Sequence, residues 1–398
     1  MNLRCCIAMA LACGASPAAF AEEGDAGTWT ANVRYRHETV DDDAFARRAD
    51  ADTLRLRLGW SRAFSSGFSM GVEGEGVAEL NDNFNSGANR RTAYPVVADA
   101  RALEVNQAWV GWRGKAAGAV LGRQRILLDN QRFVGNVGWR QNEQTFDALA
   151  LDARPSDKIM LRYYYLDRVH RVSGDEAIDP RARERDLQGH LLNAAWTLPV
   201  GTLVGYAYLV EDRDVATAST QTLGLRWTGA RTVGANAWGW TLEGAMQADH
   251  ADNPRDVDVD YWLAEGALTR SGITGKLGWE HLGGDGTNAF QTPLATLHAF
   301  NGWADKFSTT PANGLEDRYA SVGGKFGRGK LQDKLVWTVA WHDYAADRGG
   351  ASYGTELDAS LGFPLPGGLS GLVKVADYRS DGFARDTRKA WLQVEWNY

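Results

Sequence analysis

From Thr28 to Tyr398 the chain repeats one pattern: segments of about ten residues in which apolar and polar side chains alternate, separated by turn residues. A period of two sends successive side chains to opposite faces of an extended strand. Leu54, Leu56, Leu58 and Trp60 share one face of such a segment, and Arg55 and Arg57 share the other. Trp238, Trp240, Leu242 and Met246 likewise oppose Thr241, Glu243 and Gln247, while Leu335, Trp337, Val339 and Trp341 oppose Thr338 and His342. No heptad repeat, Pro/Ser linker or shift in composition marks a second domain.

A soluble sandwich also alternates, but its apolar faces need a second layer to bury them. Here nearly every strand pairs an apolar face with a charged one, which suits lipid outside and water inside. A closed antiparallel barrel satisfies every backbone group in such a setting. The sixteen Trp, thirteen Tyr and forty-five Gly fit this reading. The fold expected is therefore all-β, a transmembrane antiparallel barrel spanning residues 22–398.

Strand starts fall near Trp29, Thr53, Phe68, Arg101, Ala119, Thr145, Lys158, His190 and Thr202. Others fall near Gln221, Trp238, Asp258, Ile273, Leu315, Leu335, Thr355, Leu369 and Arg388. That makes eighteen, with sixteen as the alternative, since bacterial single-chain barrels hold an even number. The connections alternate in length. Those at Ser65–Gly67, Arg154–Ser156, Pro199–Gly201, Ser271–Gly272 and Pro364–Gly368 are short, whereas 80–100, 129–143, 169–188 and 283–313 are long. Short periplasmic turns and long outer loops have this asymmetry.

Residues 1–21 read as an export leader: Arg4 gives the basic start, Cys5–Leu11 a short apolar stretch, and Ala19-Phe20-Ala21 a small-x-small cleavage pattern. A lipoprotein leader using Cys13 is the alternative. All three cysteines lie in this segment, so the exported chain has no disulfide framework. The formal charge of −7 becomes more negative once Arg4 is removed, which argues against a nucleic-acid partner. At the other end, Ala390, Leu392, Val394, Trp396 and Tyr398 share a face. A terminal aromatic after alternating apolars resembles the signal read by the barrel-assembly machinery of the bacterial outer membrane. Lipid and lipopolysaccharide are the other partners expected of such a barrel.

Alternation assigns Arg34, Arg36, Arg55, Arg57, Arg123, Arg125, Arg162, Arg226 and Lys374 to the lumen. Two cations spaced i, i+2 stand about 7 Å apart on one wall, and rings of Arg or Lys select anions in pores. Facing them are Glu73, Glu75, Glu79, Glu104, Glu243, Glu265, Glu356 and Asp358, so the same charges also form a wall that merely satisfies itself.

Catalytic and cofactor motifs are poor, and neither enzyme activity nor a cofactor is expected. Gly350–Gly354 matches the nucleophile-elbow spacing, but it lies in a glycine-rich connection rather than between a strand and a helix. The seven histidines show no metal-type spacing, and no metal site is expected from them. Asp256, Asp258 and Asp260 put three carboxylates on one strand face, either a calcium or lipopolysaccharide-bridging site or a solvated strand end.

Two segments carry a family signature, Gly122–Asp147 and Phe290–Phe307. Both resemble the alginate-export family of outer-membrane proteins. The resemblance implies a monomeric eighteen-stranded barrel that conducts an anionic polysaccharide or related solute through an arginine-rich constriction. Arg123, Arg125, Arg132 and Arg140, within or beside the first segment, are the candidates for that constriction. Phe133, Trp139, Phe300 and Trp303 could stack on sugar rings or pack a loop into the lumen.

The function expected is passive passage of an anionic saccharide or other small anionic solute. The alternatives are an uptake porin for small organic acids or oligosaccharides, a barrel-embedded lipid hydrolase, and a structural barrel.

Overall fold

The computed structural model describes residues 27–327 and 334–398; the expected leader over residues 1–21 lies outside the described residues. Eighteen antiparallel strands follow one another in a single sheet. They are β1 Thr28–Asp42, β2 Ala49–Ala63, β3 Phe68–Glu79, β4 Ala102–Arg113, β5 Ala117–Gln124 and β6 Thr145–Ser156. Next come β7 Ile159–His170, β8 Glu184–Leu198, β9 Gly201–Asp212, β10 Thr220–Val233, β11 Asn236–Asp249 and β12 Asp258–Arg270. The last are β13 Ile273–Leu282, β14 Leu315–Phe326, β15 Leu335–Ala345, β16 Ser352–Pro364, β17 Leu369–Ser380 and β18 Thr387–Asn397. Every strand pairs with its neighbours in sequence, and β1 pairs with β18 as well as β2, so the sheet closes without an edge. Closure removes the unpaired N–H and C=O groups that hydrocarbon cannot satisfy.

The sixteen-strand alternative is thereby excluded. The largest departures from the expected starts are at β2, β8 and β16, which begin earlier than their apolar alternation suggests. Most of the extra residues are polar or small, such as Ala49 and Asp50 on β2 and Glu184 to Asp186 on β8. They pair as strand beyond the apolar band, where side-chain hydrophobicity carries no signal.

Leu54, Leu56 and Leu58 point outward and Arg55, only 1% exposed, points in. Exposed Leu103, Leu121, Leu225 and Leu277 extend the apolar belt around the wall. Exposed Trp29, Trp112, Trp196 and Trp238 lie toward the short-turn end, and Trp262 and Trp279 toward the long-loop end, the levels at which amphipathic rings meet headgroups.

A barrel this wide does not fill its interior with strand side chains alone. Three long connections fill part of it. Residues 125–144, between β5 and β6, are mostly buried, as are many in 283–314, between β13 and β14. The 80–101 connection contributes Phe84, Val97 and Asp99, all fully buried.

Candidate functional site

The 125–144 loop crosses the lumen. Near its tip, the carbonyls of Gly138, Trp139 and Arg140 each accept from Arg34 Nη1 on β1 at 3.3 Å. Near its start, Asp129 accepts from Asn193 on β8, and Phe133 packs 5.3 Å from the Tyr206 ring on β9. The loop therefore touches opposite walls.

The 283–314 loop runs beside it. Val134 and Leu294 form a parallel bridge, Gly135 N donates to Leu294 O at 2.9 Å, and Thr296 N donates to Gln131 O at 3.0 Å. Gln144 Nε2 donates to the carbonyls of both Gly135 and Leu294. Trp139 stacks on His298 at 4.7 Å, and Arg132 is fixed by Glu280 at 2.7 Å, Thr292 at 3.1 Å and Asn301 at 3.1 Å. The two loops are thus one hydrogen-bonded unit inside the barrel. Their polar backbone needs these partners because burial denies it water.

Around this unit the basic residues gather in two groups. On one side β1 and β2 present Arg34, Arg36, Arg55 and Arg57, met by Arg125 and Arg140 from the loop. Arg34 and Arg55 share Glu395 of β18, each at 3.3 Å. Arg57 pairs with Glu75 and lies 3.6 Å from Glu143. Arg125 pairs with Glu73 and Glu143. Arg36 lies 3.5 Å from buried Asp99 and 4.1 Å above the Trp139 ring. Arg140 bridges Glu38 at 3.1 Å and Asp305 at 3.2 Å. Farther round, Lys374 lies 3.7 Å from the Trp303 ring centre, 4.2 Å from that of Trp139 and 2.7 Å from His298 Nε2.

On the opposite wall Arg226 pairs with Glu243, and Arg162 sits on the same inner face as Asp152 and Tyr164 without an ion pair of its own among the described residues.

Arg123 corrects the expectation from alternation. Its cross-strand neighbours are Ala108 and Asp147, and it shares its side of β5 with Leu121, which is 58% exposed. It pairs with Asp147 at 2.9 Å and donates to Val105 O on the outer face. The i, i+2 rule links Arg123 to Arg125 only while the strand continues. β5 ends at Gln124, after Gly122 with φ 122°, and the backbone then turns Arg125 inward.

The loop charges are tuned by these contacts. Burial alone would raise the Glu143 carboxyl, but Arg125 and Arg57 outweigh it and hold the group well below the usual carboxylate range. Asp305 is held low in the same way, burial being overcome by His298, Lys389 and Arg140. Asp129 goes up, because burial outweighs Arg226 and the Asn193 hydrogen bond. Burial, reinforced by Lys374, pushes His298 well below its ordinary value against the pull of Asp305.

Sequence reasoning missed Glu395, Glu143, Asp99 and Glu38, which decide how much free positive charge the wall carries. Glu395 and Glu38 were within reach of the alternation, since each is two positions from an inward residue. Asp99 and Glu143 lie in loops, where no period applies. Phe133, Trp139, Phe300 and Trp303 serve as packing here, with Phe300 lying 4.9 Å from the Arg132 guanidinium.

A family model described as alginate export matches residues 27–281, which includes the first signature segment and ends before the second. No curated protein matches the sequence. OpdK of Pseudomonas aeruginosa, an outer-membrane protein solved with vanillate, superposes with a TM-score of 0.72 at 16% identity, covering 93% of this chain and 98% of that one. OccAB3 of Acinetobacter baumannii gives 0.73 at 14% identity, covering 93% and 98%, and OccAB4 of the same organism 0.74 at 13%, covering 94% and 98%. At these identities the shared property is the fold.

Proposed function

The chain belongs to the alginate-export family of outer-membrane proteins, and from that premise we propose that this channel passes anionic saccharides along the arginine wall of β1 and β2. It is an outer-membrane β-barrel of the porin kind. The observation that carries the finer reading is the convergence of Arg34, Arg55, Arg57 and Arg125 on one side of the loop unit. An array of guanidiniums presents forked donors matched to carboxylates. Each arginine already has a carboxylate partner, so a solute carboxylate exchanges with an existing one instead of meeting a bare charge. That favours passage over tight binding, since conduction needs sites that also release.

Leader and barrel are proposed to divide at residues 21 and 22, with lipopolysaccharide around the outer wall and the assembly machinery engaging β18. Cofactors play no part in this reading.

A second reading is uptake of small organic acids. It is supported by the two loops that narrow the lumen and by the likeness to OpdK, whose structure contains vanillate. Single-channel recording across a salt gradient, followed by titration with oligouronates and with an aromatic monocarboxylate, tests both. Anion selectivity with oligouronate block supports the saccharide channel. Passage of the monocarboxylate without oligouronate block supports the second reading, and cation selectivity overturns both.

A further inference from the structure

Above the outward tryptophans of β12 and β13, the outer wall carries a group of side chains that the lumen does not use. His281 is the penultimate residue of β13, Glu316 the second of β14, and Asp347 sits in the 346–351 connection. One ligand atom of each lies within 4.8 Å of the others. His281 Nδ1 is 2.7 Å from Glu316 Oε1 and 3.9 Å from Asp347 Oδ1. Its other nitrogen, Nε2, is 3.5 Å from Asp260 Oδ1 on β12. Cross-strand pairing produces this grouping, because Trp262 faces His281 and His281 faces Glu316. Although on the outward side, His281 is only 9% exposed.

The second oxygens of all three carboxylates are already held by uncharged donors. Trp279 Nε1 donates to Glu316 Oε2, Trp262 Nε1 to Asp260 Oδ2 at 2.6 Å, and Gly284 N to Asp347 Oδ2 at 3.1 Å. No Lys or Arg pairs with these carboxylates among the described residues. One imidazole therefore stands among three carboxylates. Glu316 Oε1 can only accept, so the 2.7 Å contact is a hydrogen bond donated by Nδ1–H, with Nε2 on the side of Asp260. A divalent cation replacing that single proton would meet Nδ1 and one oxygen each of Glu316 and Asp347, and would leave the ring proton on Nε2 toward Asp260.

We propose that His281 Nδ1, Glu316 and Asp347 bind a divalent cation of the zinc type, with Asp260 orienting the imidazole. An imidazole nitrogen beside carboxylate oxygens suits zinc and its transition-metal neighbours, whereas calcium and magnesium favour all-oxygen sets. A carboxylate on the other ring N–H is the usual partner of a metal-bound histidine. Asp260 is the one member of the sequence trio Asp256, Asp258 and Asp260 that takes part. The site has a mechanical consequence. Asp347 holds Gly284, and Arg348 N donates to Asn313 O at 2.8 Å, so the ion clamps both ends of the 283–314 loop where it enters the lumen.

Calorimetric titration of zinc chloride into the full-length, tag-free protein in detergent tests this, with folding of each variant checked by circular dichroism. One saturable ion per chain is expected, weakened roughly tenfold or more by His281→Gln and by Asp347→Asn. Asp347 is in a connection, so its variant carries the test if the strand variant does not fold. Absence of saturable zinc binding, or unchanged affinity in the folded variant, overturns the proposal. So does calcium binding as tight as that of zinc.

Discussion

Arg34 and Arg55 face each other directly across the β1–β2 pair, on the inner wall. Like charges opposite one another on a sheet destabilise it. Here a single oxygen of Glu395, 3.3 Å from each guanidinium, holds both in place. Asn32 adds acceptor contacts to Arg55 at 2.6 and 3.2 Å. The wall thus concentrates positive charge while staying close to neutral overall, and one carboxylate sets the balance.

Glu395→Gln keeps the shape of that contact and removes its charge. The two guanidiniums then attract mobile anions, so anion-over-cation permeability rises roughly two- to fivefold, equivalent to about 0.5–1 kcal/mol. The reversal potential in a salt gradient measures this. An unchanged or more cation-selective reversal potential would place the permeation route elsewhere.

Arg123 and Arg125, neighbours in the signature segment, should behave oppositely. Arg125→Ala leaves Glu73 without its cation and Glu143 with Arg57 alone at 3.6 Å, and stranding a buried charge costs about 3–5 kcal/mol. Loss of anion preference and noisier conductance follow, because Glu143 anchors the loop. Arg123→Ala alters an outer-wall pair with Asp147 and leaves selectivity at the wild-type value. Equal effects of the two variants in bilayer recordings would contradict the outward placement of Arg123.

The same contrast shows how far the sequence is legible. Alternation finds the strands because lipid and water impose opposite demands on successive side chains, and Leu54 with Arg55 reports both at once. It identifies Arg34, Arg36, Arg55, Arg57, Arg226 and Lys374 as inward for the same reason. It stops applying after Gln124, so Arg123 on the Leu121 side of β5 and Arg125 turned inward do not share a wall. Nor does it show that 125–144 and 283–314 join inside the barrel, since the Val134–Leu294 bridge is a long-range pairing with no local period. His281, Glu316 and Asp347 come together only through strand register and one connection.

Acid should release the loop unit. Glu143 in the docked loop titrates well below its ordinary 4.5, so a detached loop binds its proton first as pH falls. A depressed carboxylate stabilises docking fully above the ordinary value and loses that contribution as pH drops through the window below 4.5. Asp305 acts in the same direction below its ordinary 3.8. Conductance should therefore stay constant from pH 7 to 5 and show larger or fluctuating openings below pH 4.5. In Glu143→Gln the pH dependence weakens. A transition centred above pH 6 in the wild type would rule out these carboxylates as its source.

Trp139 is the side chain on which the loop unit turns. It stacks on His298 of the partner loop at 4.7 Å, meets Trp391 of β18 at 5.8 Å, and lies beneath Arg36 and beside Lys374. One ring therefore joins both loops to three strands; it is half-buried, so Trp139→Ala costs less than the roughly 3–5 kcal/mol of a fully buried Trp→Ala change. Nearly all of that loss falls on docking, because the barrel is closed by backbone hydrogen bonds that Trp139 does not make. Trp139→Ala should leave the strand content intact by circular dichroism, raise mean conductance, and expose residues 125–144 to protease. Trp139→Phe restores the stack in part and should recover most of the protection. If Trp139→Ala conducts as the wild type does, the loop unit is held by its ion pairs alone, and the Glu38–Arg140–Asp305 bridge becomes the contact that keeps the lumen narrow.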